Sequence, residues 1–158
     1  MSEGFDKTDR KIISQLIENS KMMSKELSKK LKIHPNTLLQ RLKKLREHGA
    51  IIKYGAVVDF DKLEPGFQAL IFLNIEMIPD WEVHLRPISR FPEVVSFILI
   101  TGAYDAVVIA RVKHEKNLAS LLRRFQANKV VTKTTTHLIL DRYKHSHEYN
   151  PFEAEFKF

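Results

Sequence analysis

Residues 34–49, HPNTLLQRLKKLREHG, place six Lys, Arg and His residues beside four leucines in one short run. At 3.6 residues per turn, Leu38, Leu42 and Leu45 fall on one face, with Leu39 on its shoulder. Asn36, Gln40, Lys43, Lys44 and Glu47 fall opposite, flanked by Thr37 and Arg41. Pro35 suits the first turn of such a helix, where its missing N–H would have no intrahelical partner. Gly49 suits a left-handed cap after the last turn.

Upstream, FDKTDRKIISQLIEN (5–19) reads as a helix capped by Asp6, with Ile12, Ile13, Leu16 and Ile17 on one side. A short second helix spans about Ser24 to Leu31 and buries Leu27 and Leu31. Lys32 and Ile33 then make a tight connection to Pro35. Three short helices with such a turn between the last two form the helix-turn-helix pattern.

The charge distribution agrees with that pattern. Residues 1–53 hold 13 Lys+Arg against 6 Asp+Glu, whereas residues 54–158 hold 13 against 13, so the net charge of +7 lies in the first third. A basic small module on a neutral larger one points to a polyanion as the partner of the first.

A solvated helix face needs no special chemistry, so the side chains decide. Asn and Gln pair bidentately with adenine edges, Thr meets a base or a thymine methyl, and Lys or Arg serves guanine or phosphate. Asn36, Thr37, Gln40 and Lys44 are therefore assigned to base reading on double-stranded DNA. Arg41, nearer the buried seam, is placed between base and phosphate. Lys43 and the lysines of the preceding turn and helix, Lys21, Lys25 and Lys32 with Lys29 and Lys30, are assigned to phosphates.

After Gly49, AIIKYGAVVDF changes to apolar runs rich in Ile and Val, which suits strands leaving the first domain. DKLEPG supplies turn residues. From residue 67 the order is strand, helix near Trp81 to Phe91, strand, turn AYD, strand, helix, strand. This βαββαβ order over 67–141 is that of ferredoxin-like folds. Pro87 predicts a kink or break in the first of these helices. Both helices cover one sheet face, so the other needs a partner, and dimerisation through it is the simplest solution. The tail 142–158 is polar with scattered aromatics and is expected to order on a partner.

Several classes are excluded or disfavoured. The chain has no cysteine, which removes disulfides, thiolate metal sites and cysteine nucleophiles. The N-terminus lacks an apolar signal core, and no run approaches the roughly 18 apolar residues of a membrane span, so a cytoplasmic protein is expected. There is no Ser-His-Asp order and no phosphate-cradling glycine loop, and no cofactor is called for. His145 and His147 in KHSHEY are more simply solvated than metal-binding, and no metal is assigned.

From FDKTDRKIISQL through KELSKKL, TLLQRLKKLREHGAI and KYGAVVDFDKL to FPEVVSFILITGAYDAVVIARV and TTTHLIL, the chain resembles the Lrp/AsnC (feast/famine) family of transcription regulators. The resemblance implies an α+β protein. Its parts are a winged helix-turn-helix (1–54), a hinge strand and linker (55–66), a βαββαβ sensing and oligomerisation domain (67–141), and a tail (142–158). It implies a homodimer, often assembled further into tetramers or octamers, that binds an amino acid or related metabolite near the turn after the second sensing strand. The matching positions are Thr101, Gly102, Tyr104 and Asp105, with Thr134 and Thr136 on the last strand. GAYD also reads as a plain hairpin turn.

Two positions depart from the family pattern. Its glycine before the recognition helix is Lys32 here, which must avoid a left-handed conformation or accept roughly 1–2 kcal/mol of strain. Its serine cap is His34, which gives a weaker cap or a direct DNA contact. The sirohaem decarboxylases share this architecture and form the enzymatic alternative, but their Pro- and Arg-rich segment and aromatic ending are replaced by ENSKMMSKEL and FEAEFKF. A ligand-independent architectural DNA-binding protein is the other alternative.

Overall fold

Asp6 opens the first helix, α1 (Lys7–Glu18), through a capping box: its carboxylate accepts the N–H groups of Thr8 and Asp9, and Asp9 accepts that of Asp6. A computed structural model describes residues 4–156 of the chain. Helices α2 (Ser24–Leu31) and α3 (Pro35–Glu47) follow, with Pro35 at the start of α3 and Gly49 left-handed just beyond its end.

These three helices close over Ile12, Leu27, Leu38 and Leu45, all essentially inaccessible, with Phe5, Leu16, Leu31, Ile33, Leu42 and Ile51 packed around them. Only part of the apolar stripe read for α1 is core. Ile17 is 38% exposed, whereas Ser14 and Gln15 are buried.

Ser14 is buried because the C-terminal segment lies on α1. Asn150 donates to the Ser14 hydroxyl at 3.1 Å, Glu155 lies 3.8 Å from Arg10, and Phe156 is buried with the Lys11 ammonium over its ring. The tail thus orders on its own chain, contrary to the expectation that it needs a partner. The chain divides into two units, Met1–Val58 with Tyr143–Phe158, and Asp59–Arg142.

The hinge segment also departs from its reading. Residues 52–59 carry no strand, because a lone strand has no neighbour to complete its hydrogen bonds. Ile52 and Val57 are left exposed. Asp59 then caps a single turn, α4 (Phe60–Leu63), within the stretch read as turn.

The second unit is a four-stranded antiparallel sheet of order β2-β3-β1-β4, from β1 (Phe67–Ile75), β2 (Val94–Leu99), β3 (Ala106–Val112) and β4 (Val131–Ile139). Helices α5 (Trp81–Ser89) and α6 (Glu115–Gln126) complete the βαββαβ order. Side chains alternate on β1 and β3: Ala69, Ile71, Leu73, Ala106, Val108 and Ala110 are fully buried against Leu85, Ile88, Leu121 and Phe125 of the helices. Just before β1, Gly66 sits where a Cβ would come within 2.8 Å of the Val112 carbonyl.

Pro87 does not split α5. It lies in the last turn, two residues before the end, so the single bond it forfeits, to the Val83 carbonyl, leaves little helix beyond it to be broken away, and the chain closes through the tighter bonds Arg90→Pro87 and Phe91→Ile88.

Candidate nucleic-acid interface and hairpin site

The turn into α3 is made by Lys32, whose backbone is left-handed (φ 54°, ψ 43°). Its N–H reaches the Lys29 carbonyl and that of Ile33 reaches Ser28, the paired bonds of a Schellman ending. Lysine therefore accepts the conformation normally given to glycine, because Ile33 must be turned back into the core. His34 then caps α3: its Nδ1 accepts the Asn36 N–H at 3.2 Å, which puts the ring proton on Nε2. The imidazole does replace the expected serine oxygen.

Beyond this cap, Asn36, Thr37, Gln40 and Lys43 are exposed along the first two-thirds of α3, and Lys21, Lys25 and Lys32 are exposed before it.

Two residues assigned to that face are engaged elsewhere. The Arg41 guanidinium Nη1 lies 2.8 Å from both Asp6 oxygens and from Oδ1 of Asp9, a carboxylate with no exposed surface. Lys44 donates to the Gly4 carbonyl, lies 3.8 Å from Asp9, and covers the Phe5 ring. The Lys44 ammonium assigned to base reading is thus turned toward Asp9 and Gly4: a buried carboxylate needs compensating cations, and these two side chains supply them. Hydrogen bonds donated to Asp9 and then to Asp6 raise the Arg41 pKa above its ordinary value. The Asp9 backbone N–H, followed by Arg41, holds the Asp6 carboxyl below the usual range.

This ion cluster joins the start of α1 to α3, and helical periodicity alone had no means of finding it. The available signal was the pair of acidic residues at the first turn of α1, spaced as a capping box, with an arginine on the flank of α3 nearest the seam. The contribution of the tail, through Asn150 and Phe156, was missed for a similar reason.

In the second unit, Gly102 is left-handed (φ 120°) between β2 and β3, next to exposed Thr101. Tyr104 lies against Phe72, with ring centroids 4.7 Å apart. One oxygen of Asp105 accepts the N–H of Ile75 at 2.8 Å, where the β1–β4 register shifts, and Asn74 reaches the Ala103 carbonyl. The hairpin is thereby fastened to the end of β1.

Thr134 and Thr136 do not join this group. They oppose Leu73 and Ile71, so they project toward the helix-covered side, where Thr134 accepts from Gln126 of α6. Phe72 and Tyr104 are on the other face. The His145 and His147 rings are tilted by 30° with centroids 5.0 Å apart, and no cluster of three potential metal ligands occurs among the described residues. No helix among them is long and apolar enough to cross a membrane.

Comparison with known proteins agrees with both halves. Residues 5–52 match a winged helix-turn-helix DNA-binding model, and residues 70–149 match the Lrp/AsnC ligand binding domain. The HTH-type transcriptional regulator FL11 of Pyrococcus horikoshii is 32% identical over 91% of this chain and 95% of its own length. A transcriptional regulator of Neisseria meningitidis, solved with L-methionine, superposes with a TM-score of 0.86 at 26% identity, covering 97% of this chain and 100% of its own. AsnC of E. coli shares the fold, with a TM-score of 0.81 at 22% identity over 90% of this chain and 96% of its own. The α+β fold, the basic helix-turn-helix and these matches together show that the chain belongs to the Lrp/AsnC family of DNA-binding transcriptional regulators, with a winged helix-turn-helix ahead of a ligand-binding domain.

Proposed function

We propose that the chain regulates transcription without catalytic activity of its own, reading a specific duplex through the first half of α3 and responding to an amino acid or related small metabolite. The observation that carries the reading is the exposed row Asn36, Thr37 and Gln40 beside exposed Lys21, Lys25, Lys32 and Lys43. Amides and a hydroxyl at the end of a helix that enters the major groove select bases, and the lysines meet phosphates. His34, exposed at the tip of the helix, belongs to the same surface. Arg41 and Lys44 hold α3 in place instead.

The working unit is a homo-oligomer, at least a dimer. The sheet face opposite α5 and α6 carries Leu70, Phe72, Val107 and Ile109, only partly buried in a single chain, and a second copy would cover them. Paired units would meet half-sites about one helical turn, or a multiple of it, apart.

The effector site proposed is the hairpin at Thr101, Gly102, Tyr104 and Asp105. Asp105 is held rigid by the Ile75 N–H and suits an ammonium group, while Gly102 lets a ligand approach the backbone. The Neisseria relative was solved with L-methionine, which supports an amino acid as the ligand class.

Selection of bound sequences from a random duplex pool tests the DNA reading. Gln40→Ala should weaken binding to the selected sequence by roughly 1–3 kcal/mol and binding to random duplex very little. Equal losses on both would refute it. Thermal denaturation against a panel of amino acids tests the effector: one present at 100 times its dissociation constant stabilises by about 2.7 kcal/mol, and Asp105→Asn should abolish that shift.

A further inference from the structure

We propose that Leu39 is a specificity-determining residue of the DNA-binding face and packs against the C5-methyl group of a thymine in the major groove. The inference rests on the reading of α3 as the recognition helix and names a chemical group that its site must contain.

Leu39 is 53% exposed although it is one of four leucines on α3. The other three, Leu38, Leu42 and Leu45, build the core of the N-terminal unit together with Ile12 and Leu27. Leu39 borders a shallow, open concavity with Leu42, Ile51, Ile52 and Tyr54 but keeps more than half its surface exposed, so packing within the unit leaves most of its apolar surface unused.

Its position on the helix gives that surface a use. With 3.6 residues per turn, Leu39 lies about 60° around the axis from Asn36 and about 40° from Lys43, and both of these are exposed. On the opposite flank, Arg41 and Lys44 are turned away into the cluster with Asp6, Asp9 and Gly4. Loss of that flank shifts the accessible surface of α3 toward the side that carries Leu39.

Among the base-edge groups in the major groove, the thymine methyl is the apolar one, and aliphatic side chains contact it. An exposed leucine at the edge of a face that carries an amide and an ammonium has that methyl as its matching surface. The contact would distinguish thymine from cytosine at a position where Asn36 and Gln40 read neighbouring edges.

The test uses the full chain and a duplex obtained by selection from a random pool, with each thymine replaced in turn by deoxyuridine, which removes only the methyl group. Wild-type protein should lose about fourfold in affinity at one thymine, the effect of one buried methyl-sized group. Leu39→Ala should bind the parent duplex several-fold more weakly and no longer distinguish thymine from uracil at that position. Leu39→Met should retain the distinction. Indifference of the wild type to uracil at every position, or undiminished discrimination by Leu39→Ala, would overturn the proposal. So would a change in oligomeric state on Leu39→Ala with unchanged duplex discrimination. Gln40→Ala, measured in parallel, separates the two levels. If it alone loses selectivity, only the thymine contact is wrong. If neither variant does, the reading of α3 itself fails.

Discussion

Arg41 on α3 places its guanidinium 2.8 Å from the carboxylate of Asp9, which is fully buried in the first turn of α1. Helix α3 is thus fixed to α1 by an ionic contact as well as by leucine packing. The arginine that the sequence placed between base and phosphate here pairs with Asp6 and Asp9.

Removing that cation should be felt as stability before it is felt as affinity. Arg41→Ala leaves a buried carboxylate with Lys44 as its remaining cationic neighbour, and is expected to cost roughly 1–3 kcal/mol. Urea denaturation followed by circular dichroism measures the loss. A normal midpoint with weakened DNA binding would instead return Arg41 to the interface.

Acid should loosen the same contact. The Asp6 pKa is lowered in the folded chain by the Asp9 N–H and by Arg41, so its contribution is fully present above the unfolded carboxyl value and is lost as pH falls through the lower, folded value. The relevant window lies below about pH 4. Asp6→Asn keeps an acceptor for the helix cap and removes the titration, so its stability should fall less steeply over that window than that of the wild type. Parallel slopes in a urea series at several pH values would count against the assignment.

Lys32 supports a prediction of opposite signs. Lys32→Gly relieves the left-handed strain and should stabilise the fold by about 1 kcal/mol, after allowing for the greater backbone entropy that glycine loses. If Lys32 also meets a phosphate, the same substitution should weaken DNA binding and reduce the slope of log affinity against log salt by about 1. Calorimetry and a salt titration read the two effects separately.

Phe156 allows a direct measurement of the tail. Phe156→Ala should lower stability by at most about 3 kcal/mol, the low end for truncating a buried phenylalanine, since the segment can detach rather than leave a cavity. Loss of amide-exchange protection on the flank of α1 around Ser14 should accompany it. Unchanged protection there would mean that the docked tail contributes nothing.

Elements governed by periodicity and local turn chemistry were legible in the sequence. The leucine face of α3, the cap at Asp6, Pro35 and Gly49 bounding one helix, and the βαββαβ order of the second unit all follow from local patterns of a few residues. Contacts between distant segments were not. Nothing near Lys44 indicates that Gly4 and Asp9 will take up its ammonium, and nothing near Ser14 indicates that Asn150 will cover it. The separation of Thr134 and Thr136 from Tyr104 required the strand register, since a shift of one residue would have reversed it. The hinge misled for another reason: IIKYGAVV has strand composition, but within one chain it has no neighbour to pair with.

The docking of Asn150 and Phe156 on α1 also has a consequence for biosynthesis. The helical module is translated first, yet part of its surface is supplied by residues that follow the sensing domain, so it is completed only after that domain has left the ribosome. A nascent chain would hold this helical module unfinished until Phe156 emerged, and a fusion placed next to Phe156 would perturb α1, about 140 residues away in sequence.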